Sequence, residues 1–288
     1  MMINNIQRIL LPIVIGLGLL TGSAALTAEE EGGSALIPAD ILAGTQRTSA
    51  WIARDQYRHP AETLAFFGVR PDMTVVEIWP GGGWYTEILG PYLDPGKLYA
   101  AQFPMVGTPK YYRKVRTAFA EKLTANPTVY PTTTMVDFDP TNGALGVPES
   151  SVDRVLTFRN VHNWLRSKSE AKAFELFFNT LKPGGILGVV EHRAPADTDW
   201  ETMKTSGYMT EAYVIELAEQ AGFVLDGRSD LNANLKDSAD HPEGVWTLPP
   251  SLRLKEKDRE KYLAIGESDR MTLRFKKPDA NQPEPVTQ

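Results

Sequence analysis

Short apolar segments alternate with amphipathic segments through the middle of the chain. The apolar segments are rich in β-branched residues and predict strands, whereas segments with apolar residues at helical spacing predict helices. This alternation is typical of a parallel sheet covered by helices, and it favours one large α/β domain. The predicted strands are 73–78, 97–103, 132–138, 152–158, 186–191, a strand beginning at 223, and 271–275. The predicted helices are 84–92, 111–123, 169–181 and 209–221, after a helical region at 48–67.

The N-terminal end of the chain lacks this alternation. Arg8 is the only charged residue before an apolar run from Ile9 to Leu20, and small residues follow. That order is typical of a secretory signal peptide, and the run is shorter than the roughly 20 residues that a membrane-spanning helix needs. We expect cleavage after Ala25 or Ala28, a periplasmic or secreted protein, and no stable membrane span in the mature chain.

The other boundaries follow from local composition. Residues 1–28 form the predicted signal peptide, and residues 29–47 are small and polar, which predicts a flexible lead-in. Residues 48–277 form the predicted domain, with a polar insertion at about 226–268 between its last two strands. Connections of that length are usually functional or poorly ordered. The Pro-rich, acidic residues 278–288 predict a disordered tail.

Composition excludes several classes of function. The 288 residues carry a net charge of −6 without a cluster of Lys and Arg, so we expect no nucleic-acid partner. The absence of cysteine excludes disulfides, thiolate catalysis and zinc sites built on cysteine. Glu191-His192 at the end of a predicted strand offers too few ligands, so we expect no bound metal. The sequence does not indicate an oligomeric state.

One segment carries the clearest chemical signal, a predicted buried strand that continues into three glycines and then into a helix. Gly81, Gly82 and Gly83 permit a sharp turn and a close approach of a ligand to the backbone. The helix that follows offers free N–H groups to a ligand, and Tyr85 at its start is expected to contact one. Glu77 ends the strand and places a carboxylate where a ligand amine can bind, because ligands bind at the carboxyl ends of parallel strands.

The spacing of these glycines discriminates between the known glycine-rich turns. It is not the G-x-G-x-x-G of dinucleotide-binding folds, and the lysine of a phosphate-binding P-loop is missing. An acid at the end of the second strand would bind ribose hydroxyls, but that strand ends in Gln102. Both observations disfavour a nucleotide-dependent oxidoreductase.

The order of the motifs resembles that of class I S-adenosylmethionine-dependent methyltransferases. The matching segments are 77–83, 152–156 with 160–164, and 181–185. The resemblance is closer to the predicted secreted bacterial methyltransferases, which share R-H-P-x-E-T-L (58–64), P-G-G-G-W-Y-T-E (80–87) and T-F-R-N-V-H-N-W (157–164). It covers about 51–278 and implies a Rossmann-like fold, with a seven-stranded, mostly parallel sheet, helices on both faces and an antiparallel last strand.

The resemblance also implies roles for individual residues. The cofactor would be S-adenosylmethionine, with its methionine part held by Glu77 and the three glycines. Gln102 stands where the family has an acid for the ribose, and an amide can bond hydroxyls without a charge. Asp137 or Asp139 would face the adenine, and the residues alone do not choose between them. Asn160 would line the methyl-donor site.

His162 and Asn160 are the candidate catalytic residues. Both lie in a polar and aromatic segment, 159–164, that follows the fourth predicted strand. A neutral imidazole can take a proton from an oxygen or nitrogen nucleophile near neutral pH. The same histidine can instead hold its loop by hydrogen bonding, and the sequence leaves both roles open.

Two functions from different classes follow. The first is methyl transfer from S-adenosylmethionine to an unidentified small molecule or envelope component, a reaction that depends mainly on placing the nucleophile near the methyl group. The second is an exported, non-catalytic ligand-binding protein that retains the fold. Gln102 and the signal peptide favour the second function, because S-adenosylmethionine is made in the cytoplasm.

Overall fold

The computed structural model describes residues 36–280. The predicted signal peptide and residues 281–288 of the predicted tail lie outside this range. The described strands are β1 Thr74–Ile78, β2 Lys97–Gln102, β3 Thr133–Asp139, β4 Ala144–Leu145, β5 Val152–Phe158, β6 Leu181–His192, β7 Val224–Ser229 and β8 Arg270–Lys276. The described helices are α1 Ala39–Leu42, α2 Ser49–Ile52, α3 Asp55–Arg58, α4 Pro60–Phe66, α5 Thr86–Tyr92, α6 Lys110–Ala125, α7 Val161–Ser167, α8 Glu170–Thr180, α9 Trp200–Ser206, α10 Glu211–Gln220 and α11 Arg259–Ile265.

The strands form one mixed sheet in the order β4-β3-β2-β1-β5-β6-β8-β7. β3, β2, β1, β5 and β6 run parallel to one another, β4 is antiparallel to β3, and β8 runs antiparallel between β6 and β7. The predicted Rossmann-like α/β fold is therefore confirmed. The predicted count of seven strands is wrong, because β4 adds an eighth at the edge. Its two residues are too few to produce a recognisable pattern.

Helices cover both faces of the sheet, as predicted. Successive side chains of a strand point to opposite faces, so Val75 packs with α4 and α5 while Val76 packs with α7, α8 and α10. Aliphatic and aromatic side chains share the second of these faces, where Trp164 and Phe177 are fully buried. The order of the parallel strands reverses next to β1, where a crevice opens at the carboxyl edge of an α/β sheet.

The N-terminal residues differ from the predicted flexible lead-in over the part that is described. Ile37 is buried, α1 contacts α5, and Arg47 is buried in an ion pair of 2.6 Å with Asp55. The carboxylate of Glu87 accepts hydrogen bonds from the backbone and side chain of Thr48, both at 2.8 Å. These long-range contacts order a segment whose own composition is polar.

The segment between β7 and β8 folds back over the carboxyl edge of the sheet. Asn232 donates to Thr63 and Thr272, and Asp237 accepts hydrogen bonds from Tyr208 and from His241. A 3-10 turn, Gly244–Thr247, and α11 lie within this segment. Among residues 36–280, no helix combines the length and the hydrophobicity that crossing a membrane requires.

Candidate active site

The glycine loop connects β1 to α5 at the carboxyl edge of the sheet. Its backbone enters the left-handed region three times, at Trp79 (φ 44°), Gly81 (φ 60°) and Gly83 (φ 94°). A Cβ on Gly83 would lie 2.9 Å from the ring of Phe119, whereas one on Gly81 would have no atom within 4 Å. Gly82 is exposed, and a Cβ there would lie 3.2 Å from Trp51. The loop therefore leaves open space above Gly81 alone.

Glu77 lies beneath this loop and is almost completely buried. Its carboxylate accepts a hydrogen bond of 2.6 Å from the hydroxyl of Thr86 at the start of α5. Burial raises the pKa of Glu77 to about 7, and the bond from Thr86 and the charge of Lys122 only partly oppose this rise. A cationic ligand amine beside Glu77 would favour the ionised form of its carboxyl group.

Gln102, at the end of β2, faces the protein. The side chain is fully buried, its amide donates 2.8 Å to the carbonyl oxygen of Gly81, and its Oε1 has no hydrogen-bond partner among the described residues. The amide thus fixes the glycine loop from below. A side chain that is fully buried and bonded to the backbone of the loop is not available to the hydroxyls of a ribose.

An aromatic cleft of about 430 Å³ lies beside the loop, at the ends of β1, β2 and β3. The rings of Trp79 and Phe103 stack at 4.4 Å, and Tyr112 continues the stack 4.5 Å from Phe103. The indole of Trp79 also donates 3.2 Å to the carbonyl oxygen of Phe138. A flat ring can stack against the aromatic side chains of this cleft.

The two candidate adenine-facing acids lie in different environments. Asp137 forms an ion pair of 2.6 Å with Arg116 and does not line the cleft. Asp139 lines the cleft, where it also accepts hydrogen bonds from the backbone and side chain of Asn142. The geometry therefore favours Asp139.

Tyr85 lies in the core. Its ring stacks on Phe158 at 3.6 Å, and 4% of the residue is exposed. Burial raises the pKa of Tyr85 to about 12, although the charges of Arg58 and Arg159 act in the opposite direction. Tyr85 therefore packs between the glycine loop and a group of arginines, and it lines neither the aromatic cleft nor the arginine cavity described below.

His162 and Glu191 form a buried pair where β5 and β6 end. His162 Nδ1 lies 3.0 Å from Glu191 Oε1, and the same carboxylate accepts from the backbone N–H groups of His162 and His192. An ionised carboxylate only accepts hydrogen bonds, so we assign the proton of the neutral ring to Nδ1. His162 Nε2 is then a free proton acceptor. Asn160 donates 2.9 Å to the carbonyl oxygen of Ile78 and so joins β5 to the glycine loop.

His162 lines a second cavity of about 270 Å³, which we call the arginine cavity. Arg54 and Arg58 enter it from the N-terminal helices, Arg159 from the end of β5, and Arg270 from the start of β8. Glu267 is the one carboxylate in its lining, and Trp246 and Pro249 of the β7–β8 segment form part of its wall. Arg58 and Arg159 each lie in a segment that the sequence analysis had identified, 58–64 and 159–164. Glu267 and Arg270 were missed, because no local sequence motif surrounds them.

Three potential metal ligands also meet here. Atoms of His162, Glu191 and His192 lie within 4.8 Å of one another. The expectation of no metal considered only Glu191 and His192, so the structure adds His162 as a third potential ligand. The Glu191 carboxylate already accepts three hydrogen bonds, and four guanidinium groups line the adjoining cavity. This positive charge disfavours a bound metal cation.

Comparisons with known proteins identify the fold of this chain, but they do not identify its family or its activity. No family model matches the chain, and no curated protein matches its sequence. A methyltransferase of Aquifex aeolicus dependent on S-adenosylmethionine has 16% identity and a TM-score of 0.53 over 78% of this chain and 93% of its own. The [4+2]-cyclase SpnF has 16% identity and a TM-score of 0.54 over 77% and 81%. Phosphoethanolamine N-methyltransferase 2 of Haemonchus contortus, solved with S-adenosylmethionine, has 14% identity and a TM-score of 0.51 over 83% and 60%. The chain therefore has the α/β fold of class I methyltransferases, and the cyclase has a similar fold.

Proposed function

We propose that this protein is an S-adenosylmethionine-dependent methyltransferase that acts on a small molecule. The observation that carries the proposal is the pairing, at one edge of the sheet, of a glycine loop open above Gly81 with an aromatic cleft beside it. The first feature allows a ligand to approach the backbone, and the second suits a purine ring. His162 follows β5, the neighbour of β1 in the sheet, and lines the separate arginine cavity, where it can act as a proton acceptor.

S-adenosylmethionine consists of a methionine part, a ribose and an adenine, and the residues of the site fit the first and the last of these. The space above Gly81 would hold the methionine part, and the cleft lined by Trp79, Phe103 and Asp139 would hold the adenine. The ribose is the exception, because Gln102 is fully buried and bonded to Gly81. We therefore assign Gln102 to support of the loop rather than to contact with the cofactor.

The side chains around the second cavity would handle the acceptor. When bound, the cofactor supplies an electrophilic methyl group on a sulfonium sulfur. His162 Nε2 would remove the proton of an acceptor hydroxyl or amine, and Glu191 would hold the imidazole in the required tautomer and stabilise its charged form. Asn160 would keep the glycine loop in register with this pair through its bond to Ile78.

A second candidate function is a ligand-binding protein that retains the fold without the chemistry. The buried Gln102 and a tryptophan at position 79 favour it, since the indole occupies part of the space between the ends of β1, β2 and β3. The [4+2]-cyclase, which has a similar fold, is named for a reaction other than methyl transfer, so the fold alone does not establish the first function.

Calorimetric titration of the purified protein tests the first function. We expect S-adenosylmethionine and S-adenosylhomocysteine to bind and NAD not to bind. Gly81→Ala places a methyl group in the open space of the loop, so we expect the dissociation constant to rise about tenfold, which corresponds to about 1.4 kcal/mol.

Gly143→Ala is the matched control for that titration. Gly143 also has a positive φ, 68°, and its Cβ would meet only the flexible end of Lys172. The control therefore carries similar backbone strain away from the loop and should bind as the wild type does. Absence of binding to both sulfur compounds by the folded wild-type protein would rule out the methyltransferase function.

We also propose that the protein acts outside the cytoplasm, on the basis of the signal-peptide pattern in residues 1–28. Residues 1–40 fused to a reporter that is active only after export should direct it across the membrane. Replacing two leucines of the apolar run, Leu10 and Leu11, by arginine should abolish that activity. A reporter that stays inactive with the wild-type segment contradicts export.

A further inference from the structure

The arginine cavity holds more positive charge than its own residues neutralise. Arg54 Nε lies 2.5 Å from Glu267 Oε1, while Arg58 Nε and Arg270 Nη2 lie 3.1 and 2.5 Å from Oε2. Three guanidinium groups thus share one carboxylate. Arg159 adds a fourth, and its side chain enters no ion pair within residues 36–280. Guanidinium groups stay charged in proteins, so the lining carries four positive charges against one negative charge.

Two of these arginines offer donors that the protein itself does not use. Arg58 is 3% exposed, and its Nη1 is buried with no hydrogen-bond partner among the described residues. Arg159 has a backbone φ of 63°, a conformation that non-glycine residues adopt rarely and that is found preferentially at functional sites. A buried unpaired donor costs about 1–3 kcal/mol, so Arg58 Nη1 indicates a missing acceptor. Arg159 is half-buried and has no ion pair within residues 36–280, so its guanidinium group is available to the same acceptor.

We propose that the arginine cavity binds an anionic group, a carboxylate or a phosphate, of the methyl acceptor. Guanidinium groups match both oxyanions in geometry, and an anion here would offset the excess charge. The position of His162 in the same cavity connects this site to the reaction, because an acceptor held by its anionic end would place its nucleophile beside Nε2. Assignment of the anion to the methyl acceptor rests on the proposed function, whereas the binding of an anion does not.

Calorimetry with inorganic phosphate tests the site directly, with the full protein, no cofactor, and ionic strength held constant with sodium chloride. We expect one phosphate to bind per chain and acetate to compete with it. Arg159→Gln should weaken phosphate binding at least tenfold. Because Arg159 has no ion-pair partner and lies among like charges, the variant should remain folded and should melt, in phosphate-free buffer, no lower than the wild type.

Arg113→Gln is the control for a general loss of positive charge. Arg113 is exposed on α6, lines neither cavity, and should leave phosphate binding unchanged. The site is overturned if the folded wild-type protein binds no phosphate, or if both variants bind it as the wild type does.

A third arm separates the acceptor from the cofactor as the source of the anion. Phosphate is titrated again in the presence of saturating S-adenosylhomocysteine, which carries a carboxylate of its own. Undiminished phosphate binding assigns the site to the acceptor, and loss of phosphate binding assigns it to the cofactor and overturns the proposal. If S-adenosylhomocysteine itself does not bind, the proposed function fails while the phosphate result for Arg159→Gln still decides whether an anion site exists.

Discussion

Glu267→Gln is expected to lower the free energy of unfolding by about 3–5 kcal/mol, the usual cost of removing one partner of a buried ion pair. Glu267 is 3% exposed and is the common partner of Arg54, Arg58 and Arg270. A neutral amide would leave the buried guanidinium groups of Arg58 and Arg270 and the partly exposed one of Arg54 without a counter-charge, with Arg159 beside them. Their mutual repulsion would then oppose the packing of the N-terminal helices on β8.

The same carboxylate gives the wild-type protein a defined dependence on pH. Burial raises the pKa of Glu267, but the charges of Arg58, Arg270 and Arg54 outweigh burial and lower it to about 2. An acid whose pKa is depressed by folding stabilises the protein above its unfolded pKa of about 4.3. That contribution is lost as pH falls from there towards 2. Glu267→Gln lacks this group, so the difference in stability between the two proteins should shrink over that pH range.

Urea denaturation measures both effects, at neutral pH and at steps down to pH 3. Glu243→Gln is the matched control, because Glu243 pairs with Arg253 at 3.5 Å and both side chains are exposed. Exposed pairs contribute about 0–1 kcal/mol, so this variant should stay within that range of the wild type. Phosphate should restore part of the stability of Glu267→Gln if it binds among the arginines. A loss below 1 kcal/mol for Glu267→Gln contradicts the charge argument.

The fold was predictable because its signal is local. The apolar strand of Val75 and Val76 is buried on both faces, and the glycines at 81–83 mark where it turns into α5. Both features can be recognised within a dozen residues. The short helices α7 and α9 were missed, since two turns provide too few apolar positions to establish a period.

The site was predictable only in its separate parts. His162 was named from the segment that follows β5, but its partner Glu191 lies 29 residues further along the chain, and parallel pairing of β5 with β6 brings the two together. Glu267 lies 209 residues from Arg58. Contacts of that separation are fixed by topology rather than by local pattern. His162 could therefore be named from the sequence as a candidate proton acceptor, but the cavity around it could not be predicted. Gln102 is a different case. Its position at the end of the second strand was clear from the sequence, but the inward direction of its side chain was not.

Trp79→Gly is expected to weaken the binding of S-adenosylhomocysteine about 30-fold, since stacking of a base on an aromatic side chain contributes about 1–3 kcal/mol. Trp79 forms one wall of the aromatic cleft and holds Phe103 in place by stacking at 4.4 Å. The substitution removes the wall and frees its neighbour. It also removes the hydrogen bond to the carbonyl oxygen of Phe138.

Two opposing effects decide how Trp79→Gly changes the stability of the protein. A φ of 44° costs a non-glycine residue about 1–2 kcal/mol, which glycine would recover. Loss of a large aromatic side chain from a packed site costs about 3–5 kcal/mol, so we expect a net loss of stability. Near-UV circular dichroism should therefore confirm that the variant is folded at the temperature of the titration.

Trp79→Phe separates the two roles of the indole. Phenylalanine keeps an aromatic face at the same strained φ, so its affinity for S-adenosylhomocysteine should stay within about threefold of the wild type. If Trp79→Gly instead binds more tightly than the wild type, the indole fills space that the adenine needs. That result would favour the second candidate function, because a protein whose own side chain occupies the cofactor cleft keeps the fold of a methyltransferase without its chemistry.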